Sequence, residues 1–380
     1  MTPPLRYCPH CMQPYEDGNY CASCGKDLHV KASPTQLPVG TILESGISRY
    51  QIGVALGQGG FGITYIAMDL RSYQRVAVKE YFPMSCGQRD NNGVGVIAKP
   101  GVEDVFQGGR RSFLKEAQML ASLEKMPGIV EIYNYFETNG TAYLVMEYLN
   151  GKTLKKMVAT REKIAVDEFL PKLPPLINSL ARIHEQNVIH RDISPDNIMW
   201  MPDGSLKLLD FGCARSMEDG RALTIMYKPG FAPVEQYLSS GQGTWTDVYA
   251  LCATIYYCIT GKMPQASVDR LDNDRLLPPS ALGVALPEKL EPALMWGLTV
   301  QPKERPVNME AFAFRFRVDE YYPHTGGNNH RTQDNGRDTP QKDGWLKRLR
   351  SVLPANPVTC IAILAAIVAA AVFLLYAAFS

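Results

Sequence analysis

The sequence predicts an α+β protein of two lobes, a small strand-rich part followed by a larger helix-rich part. A short cysteine module precedes the lobes and an apolar segment follows them. Three observations carry this. Strand patterns flank a glycine cluster soon after residue 50, helical patterns dominate from Leu154 onward, and composition shifts sharply at both ends. Strands gathered before helices imply two lobes with a cleft between them.

The chain has 380 residues, which suits two or three units. Hydrophobic residues make up 46% and charged residues 20%, so a sizeable core is available. The formal net charge of +1 argues against a nucleic-acid partner held by bulk positive charge.

Residues 1–28 contain four of the nine cysteines, as Cys8-Pro9-His10-Cys11 and Cys21-Ala22-Ser23-Cys24. Two such knuckles separated by a short loop suit tetrahedral Zn²⁺ on four thiolates, a closed structural site. The other readings are a redox pair or two disulfides. The N-terminus lacks the apolar run of a secretory signal and the remaining cysteines are scattered, so a reducing compartment fits better. A module this short would draw its folding free energy from the metal. His10 reads as a bystander.

Residues 29–49, with Pro34 and Pro38, read as a linker, and residues 50–322 as the globular domain. Strands are predicted over Tyr50–Leu56, Ile63–Met68, Arg75–Lys79 and Ala142–Met146. A helix is predicted over Arg111–Leu123, with Phe113, Ala117, Leu120 and Ala121 on one face. Helical spacing recurs over Phe169–His184, blurred at its start by prolines, and over the apolar, buried Trp245–Thr260.

Three motifs carry chemistry. Leu56-Gly57-Gln58-Gly59-Gly60-Phe61-Gly62 places a G-x-G-x-x-G between two strands, where missing side chains let backbone fold over phosphate oxygens. Taken alone it reads equally as a tight hairpin. Val76-Ala77-Val78-Lys79 follows, ending on an amine able to grip phosphates and in need of a carboxylate to hold it. Glu116 on the predicted helix is that carboxylate, because Glu80 points to the opposite face of the strand. The third is His190-Arg191-Asp192-Ile193-Ser194-Pro195-Asp196-Asn197, with Asp210-Phe211-Gly212 a short hairpin later. Asp192 would orient an attacking hydroxyl and take its proton, and Asn197 and Asp210 offer the oxygen ligands Mg²⁺ prefers. Their order and spacing after the glycine loop make the set specific.

The set resembles the eukaryotic-like (Hanks-type) serine/threonine protein kinases of bacteria, especially members with a zinc ribbon and a Val-Lys-Glu-Tyr-Phe-Pro stretch, here Val78–Pro83. The resemblance covers about residues 50–316. It implies a bilobal protein kinase fold with ATP in the cleft and phosphoryl transfer to protein hydroxyls. Leu56 and Ala77 would touch the adenine, Glu147, Tyr148 and Leu149 would form the hinge, and Gly57, Gln58, Gly59, Gly60, Phe61, Gly62, Ile63 and Thr64 would cover the phosphates. Lys79 with Glu116 would position ATP. Glu235 with Arg305, and Asp247, would brace the machinery. Arg191 would pair with a phosphate on the segment Cys213–Pro229. Thr224 is the first candidate phosphosite and Ser216 the second, and Thr224 reads equally as an ordinary loop residue.

The sequence departs from that pattern in several places. Ser194 stands where the family carries a lysine that meets the γ-phosphate, so transfer would be slowed or another cation would substitute. Lys228 stands near a threonine position that helps select the substrate. Thr64 replaces a valine, and Ala232-Pro233-Val234-Glu235 is one residue longer than usual. A glycine-rich insert, Cys86–Gly109, has no assigned role. An ATP-binding scaffold without activity, signalling through the zinc module, and a kinase acting on a small molecule are the rival readings.

Residues 323–353 are polar and then basic, and Val358–Phe379 is without a charged residue. Such a run spans a hydrocarbon core of about 30 Å at about 1.5 Å per residue. Lys342, Lys347, Arg348 and Arg350 lie just upstream and place the globular domain on the cytoplasmic side of a single-pass membrane anchor. The expected partners are protein substrates, the lipid bilayer and a second copy for trans-autophosphorylation. The expected cofactors are ATP, Mg²⁺ and structural Zn²⁺.

Overall fold

A computed structural model describes residues 6–209, 215–216, 228–238 and 241–322, with only the backbone described at 215–216. Asp210, Thr224, the side chain of Ser216 and the segment Val358–Phe379 lie outside the described residues. Among the described residues no helix is long and apolar enough to cross a membrane.

The cysteine module forms first, as a two-residue ladder of β1 (Arg6–Tyr7) with β2 (Pro14–Tyr15). An antiparallel sheet follows, built from β3 (Ile42–Glu44), β4 (Arg49–Gln58), β5 (Gly62–Asp69) and β6 (Gln74–Tyr81). After a hairpin of β7 (Gly87–Arg89) and β8 (Val96–Ala98), helix α1 (Glu103–Ser122) crosses over, and β9 (Ile132–Thr138) and β10 (Thr141–Glu147) complete the sheet. The spatial order is β3-β4-β5-β6-β10-β9. Each predicted strand is present and one or two residues longer at its ends. The stretch read as a linker is partly structural, since Ile42–Glu44 joins the sheet and Leu37 is buried in the core of the small lobe.

The insert also has structure. Cys86, Val96 and Phe106 enter the core of the small lobe beside Tyr65, Val78, Phe82 and Tyr143. Its anchor is an ion pair of Arg89 with Glu80, whose side chains are 6% and 0% exposed. Arg89 Nη1 donates to Glu80 Oε1 at 2.7 Å, and the hydroxyls of Tyr143 and Tyr65 donate to the same carboxylate at 3.0 and 3.1 Å. Burial and the Glu80 charge push the Tyr65 and Tyr143 hydroxyls above the ordinary tyrosine range, so both stay donors. Removing one partner of a buried pair strands the other charge. Arg89→Ala should therefore destabilise the protein by about 3–5 kcal/mol, read as a lowered midpoint in urea denaturation.

Helix α1 begins eight residues before the predicted start. Phe106, Ala117 and Leu120 are buried on it, whereas Ala121 is exposed, so the apolar stripe is narrower than expected. Tyr81 packs on Phe106 and Phe113 and donates its hydroxyl to the Phe106 carbonyl at 3.1 Å, fixing the helix to the end of β6.

The larger lobe begins with β11 (Lys152–Thr153) and α2 (Leu154–Arg161). The Phe169–His184 pattern is divided. A short α3 (Val166–Phe169) and a 3₁₀ turn lead into α4 (Leu173–Glu185), with Pro174 and Pro175 in its first turn, where a missing N–H goes unneeded. Strands β12 (Val188–Ile189), β13 (Ile198–Trp200) and β14 (Leu206–Leu208) frame a loop, and β15 (Arg215–Ser216) pairs with β12. Then come α5 (Val234–Tyr237) and α6 (Thr244–Thr260). Helix α6 is buried nearly throughout, as its apolar pattern predicts. It packs Val248, Leu251, Ile255 and Ile259 in one core with Leu173, Leu176, Leu180 and Ile183 of α4.

Candidate active site

The glycine turn joins β4 to β5, with the Gly59 N–H donating to the Gly62 carbonyl at 2.9 Å. Gly62 is fixed by close approach, because a Cβ there would lie 2.4 Å from the Glu80 carbonyl oxygen. That approach brings the turn against β6 beside Lys79. The tip is braced from the same side: Phe82 N–H donates to Phe61 O and Met84 N–H to Gly60 O, each at 3.2 Å. The Val78–Pro83 stretch thus carries Lys79 on one face and supports the turn and the insert with the rest.

Two residues of the predicted nucleotide set turn their side chains elsewhere. Ile63 is buried in the core of the small lobe. The Gln58 amide meets Thr35 at 3.2 Å and Gln36 at 3.3 Å. Neither offers its side chain to a ligand. Leu56 and Phe61 are exposed at the turn, and Thr64 is half-buried opposite Lys79 in the β5–β6 register.

Ala77, Leu144, Met146 and Leu149 form an apolar cluster with Ala117 of α1, and Met199 and Leu209 of the large lobe pack against it. The cluster spans both lobes and supplies an apolar surface of the kind a purine ring needs. Lys79, largely buried, and Glu116, half-buried, border it from β6 and α1. The Glu147 carboxylate is held by Lys207 Nζ at 2.7 Å and its N–H donates to the Glu131 carbonyl at 2.9 Å, so its part in a hinge would fall to its carbonyl.

The loop between β12 and β13 is held from below by Asp247 of α6, whose side chain is fully buried. Its carboxylate accepts the His190 N–H at 2.7 Å, the Arg191 N–H at 2.8 Å and His184 Nε2 at 2.9 Å. Burial alone would raise the Asp247 carboxyl, but the hydrogen bond and charge of His184 outweigh it and hold the group below the ordinary carboxylate range. These bonds support Arg191 in the left-handed region at φ +67°. His190 Nε2 donates to the Leu209 carbonyl at 3.0 Å, and its Nδ1 accepts the Asp192 N–H at 3.2 Å.

Asp192 is therefore presented on a rigid loop. Asn197 Nδ2 donates to the Asp192 carboxylate at 2.8 Å and to its carbonyl at 2.9 Å. With its nitrogen so engaged, Asn197 has its amide oxygen left as a hard-cation ligand, which fits Mg²⁺. Sequence reasoning missed a third partner. Lys228 Nζ lies 2.8 Å from Asp192 Oδ1 and donates to Ser194 Oγ at 2.9 Å. Further along, Glu235 and Arg305 form the predicted pair, bidentate at 2.7 and 3.0 Å and buried on both sides.

At the other end of the chain the four thiols converge. Cys8 and Cys24 Sγ are 3.8 Å apart, Cys11 and Cys21 Sγ 3.7 Å, and all four sulfurs lie within 4.8 Å of one another. Tetrahedral zinc with bonds of about 2.3 Å sets its sulfurs roughly 3.8 Å apart, so the cluster fits that ion. The backbone N–H of Cys24 brings the Cys21 thiol down to about 6, whereas burial pushes the Cys8 thiol up and the Cys11 thiol up to about 12, so the fit to a metal rests on the sulfur geometry. The His10 ring meets the Asp27 carbonyl instead, at 3.1 Å.

Residues 50–277 match the family model described as protein kinase domain. The chain is 33% identical over 234 residues to serine/threonine-protein kinase PknA of Nostoc sp., an alignment covering 57% of this chain and 38% of that protein. It is 31% identical over 276 residues to serine/threonine-protein kinase B of Synechocystis sp., covering 68% and 42% respectively. A solved structure described as the apo form of PpkA-294 superposes with a TM-score of 0.65 at 34% identity, covering 74% of this chain and 100% of the other. The chain belongs to the protein kinase domain family. It spans about two fifths of the length of the curated relatives first matched.

Proposed function

We propose that this protein is a serine/threonine protein kinase that transfers the γ-phosphoryl of ATP to hydroxyls of protein substrates. The observation that carries the reading is the Asp192 carboxylate, fixed by Asn197 and anchored through His190 and Arg191 to Asp247, in a chain whose glycine turn is pressed against β6 beside Lys79. In this reading the purine rests on Ala77 and the cluster around it, and Leu56 closes from above. Lys79, oriented by Glu116, grips the α- and β-phosphates. Backbone of the turn covers the phosphate chain, and Asp192 orients the incoming hydroxyl and receives its proton. Asn197 and Asp210 would hold Mg²⁺, which neutralises phosphate charge when bound.

The finer assignments are part of the same proposal. Cys8, Cys11, Cys21 and Cys24 hold structural zinc. Val358–Phe379 anchors the chain in a membrane with the basic residues before it on the cytoplasmic side. Thr224 is the first candidate for a phosphate that Arg191 would order. Membrane lipid and a second copy of the chain join protein substrates as proposed partners.

The test is transfer of label from [γ-³²P]ATP to the chain and to a general protein substrate, followed by acid hydrolysis to the phosphoamino acids. Label on phosphoserine or phosphothreonine, absent with Asp192→Asn, is the expected result. Equal label in both proteins would leave the non-catalytic scaffold as the better reading.

A further inference from the structure

Phosphoryl transfer loads negative charge onto the equatorial oxygens of the moving group, and a fixed cation near those oxygens stabilises it. Ser194, two residues past Asp192, is neutral and fully buried. Among the described residues, the other lysines beside this loop are engaged elsewhere: Lys155 with Asp196 at 3.1 Å and Lys207 with Glu147 at 2.7 Å. Lys228 alone of these three reaches the Asp192 carboxylate. It comes from the segment leading into α5, and its ammonium sits between Asp192 Oδ1 at 2.8 Å, Oδ2 at 3.0 Å and Ser194 Oγ at 2.9 Å.

Its backbone is held as firmly as its head group. The N–H groups of Phe231 and Ala232 both donate to the Lys228 carbonyl at 3.0 Å. Phe231 is buried edge-on against Tyr257 at 5.8 Å. Gly230 has φ +85°, and a Cβ there would lie 2.9 Å from the Pro264 carbonyl oxygen, so the turn presses onto the large lobe. Next to Glu235, the ion-pair partner of Arg305, Gln236 Nε2 donates to the Arg191 carbonyl at 2.6 Å and ties α5 to the loop.

We infer that Lys228 is a catalytic residue that contacts the transferring phosphoryl group, with Ser194 as the hydroxyl that aims it. The inference rests on the kinase reading of the cleft. An ammonium carries three donors, and here each has an acceptor: Asp192 Oδ1, Asp192 Oδ2 and Ser194 Oγ. When nucleotide binds, one of the two bonds to Asp192 would be exchanged for one to a γ-phosphoryl oxygen. In the step, the substrate hydroxyl oxygen bonds to Pγ as the bond from Pγ to the β,γ-bridging oxygen breaks. The electron pair leaves on ADP, the hydroxyl proton passes to Asp192, and Lys228 keeps all its protons. The cation therefore arrives from the segment leading into α5, and the loop supplies only its rest.

The experiment compares Lys228→Ala, Lys228→Arg and the exchange Ser194→Lys/Lys228→Thr in the full chain. Lys228→Ala should lower kcat by about 10²–10³-fold, the loss typical of one charge-stabilising donor, with KM for ATP within about threefold and the melting temperature unchanged. Lys228→Arg should retain more activity than alanine, and the exchange should recover most of the loss by returning an amine to the same space. A second readout needs no turnover. Binding of ADP with aluminium fluoride, a mimic of the moving phosphoryl, should weaken at least about tenfold in Lys228→Ala while ADP alone binds as before. Wild-type kcat in Lys228→Ala overturns the inference. So does a loss that neither arginine nor the exchange lessens and that leaves the fluoride complex unaffected, because it assigns Lys228 to holding the segment. Absence of Asp192-dependent transfer in the unmodified protein would instead overturn the kinase reading itself.

Discussion

Asp192→Asn is expected to lower kcat by about 10³-fold while KM for ATP changes by less than about threefold. Asparagine has the shape of aspartate, so the loop held by Asp247 keeps its course. What disappears is a base for the hydroxyl proton and the counter-charge to Lys228. Neither belongs to the apolar surface around Ala77, Met146 and Leu149 proposed for the purine, so nucleotide binding should be spared. A loss of 10³ corresponds to about 4 kcal/mol of transition-state stabilisation. Steady-state ADP release, with melting temperatures of both proteins as a control for folding, measures it. A comparable rise in KM would mean that Asp192 holds substrate more than it orients it.

Removing the proposed zinc should have the second largest effect, and contacts of the module with the small lobe carry the consequence beyond it. Tyr7 and Met12 of the module pack with Ile66 and Met68 of β5, and Val54, Leu70 and Tyr148 border the same cluster. The Val54 N–H donates to the Pro9 carbonyl at 2.9 Å. Gly53 admits the contact, since a Cβ there would lie 2.3 Å from the Pro9 oxygen. The module thus leans on the two strands that continue into the glycine turn, and on a residue of the proposed hinge. Burial of Met12 and Ile66 is worth roughly 1.5–3 kcal/mol for each side chain. Chelation, or Cys21→Ser, should unfold the module, lower the melting temperature and raise KM for ATP severalfold, with kcat nearly unchanged. Gly53→Leu should push the module away with its metal still bound and give the same shift in KM. A KM that ignores both treatments would make the module a separate unit.

Much of this site was legible in the sequence because its chemistry is local. His190–Asn197 must be contiguous to form one loop, and the glycine turn must lie between paired strands, so spacing alone exposes them. Glu80 and Lys79 were separated correctly by strand alternation: Glu80 is fully buried on the insert side. The insert itself was not legible. Its strands Gly87–Arg89 and Val96–Ala98 are too short to show alternation, and Gly108 and Gly109 disguise the first turns of α1. Gly109 is there because Tyr81 packs against it, a tertiary requirement without a local signature. The burial of Ile63 and the capture of Gln58 by residues 35–36 depend on a stretch that reads as a linker. The meeting of Lys228 with Asp192 joins residues 36 positions apart. Only the neutral Ser194 hinted that a cation had to come from elsewhere.

In the proposed reading this cleft holds ATP with its terminal phosphoryl aimed at Asp192. A crystal structure of the full chain with Mg²⁺ and a nonhydrolysable ATP analogue tests it directly. The expected result is a purine against Ala77 and Leu149, phosphates beneath Gly57–Gly62 in reach of Lys79, metal on Asn197 and Asp210, and the γ-phosphate beside Asp192 and Lys228. A cleft that stays empty at millimolar analogue, or nucleotide bound with its phosphates turned away from Asp192, would contradict it.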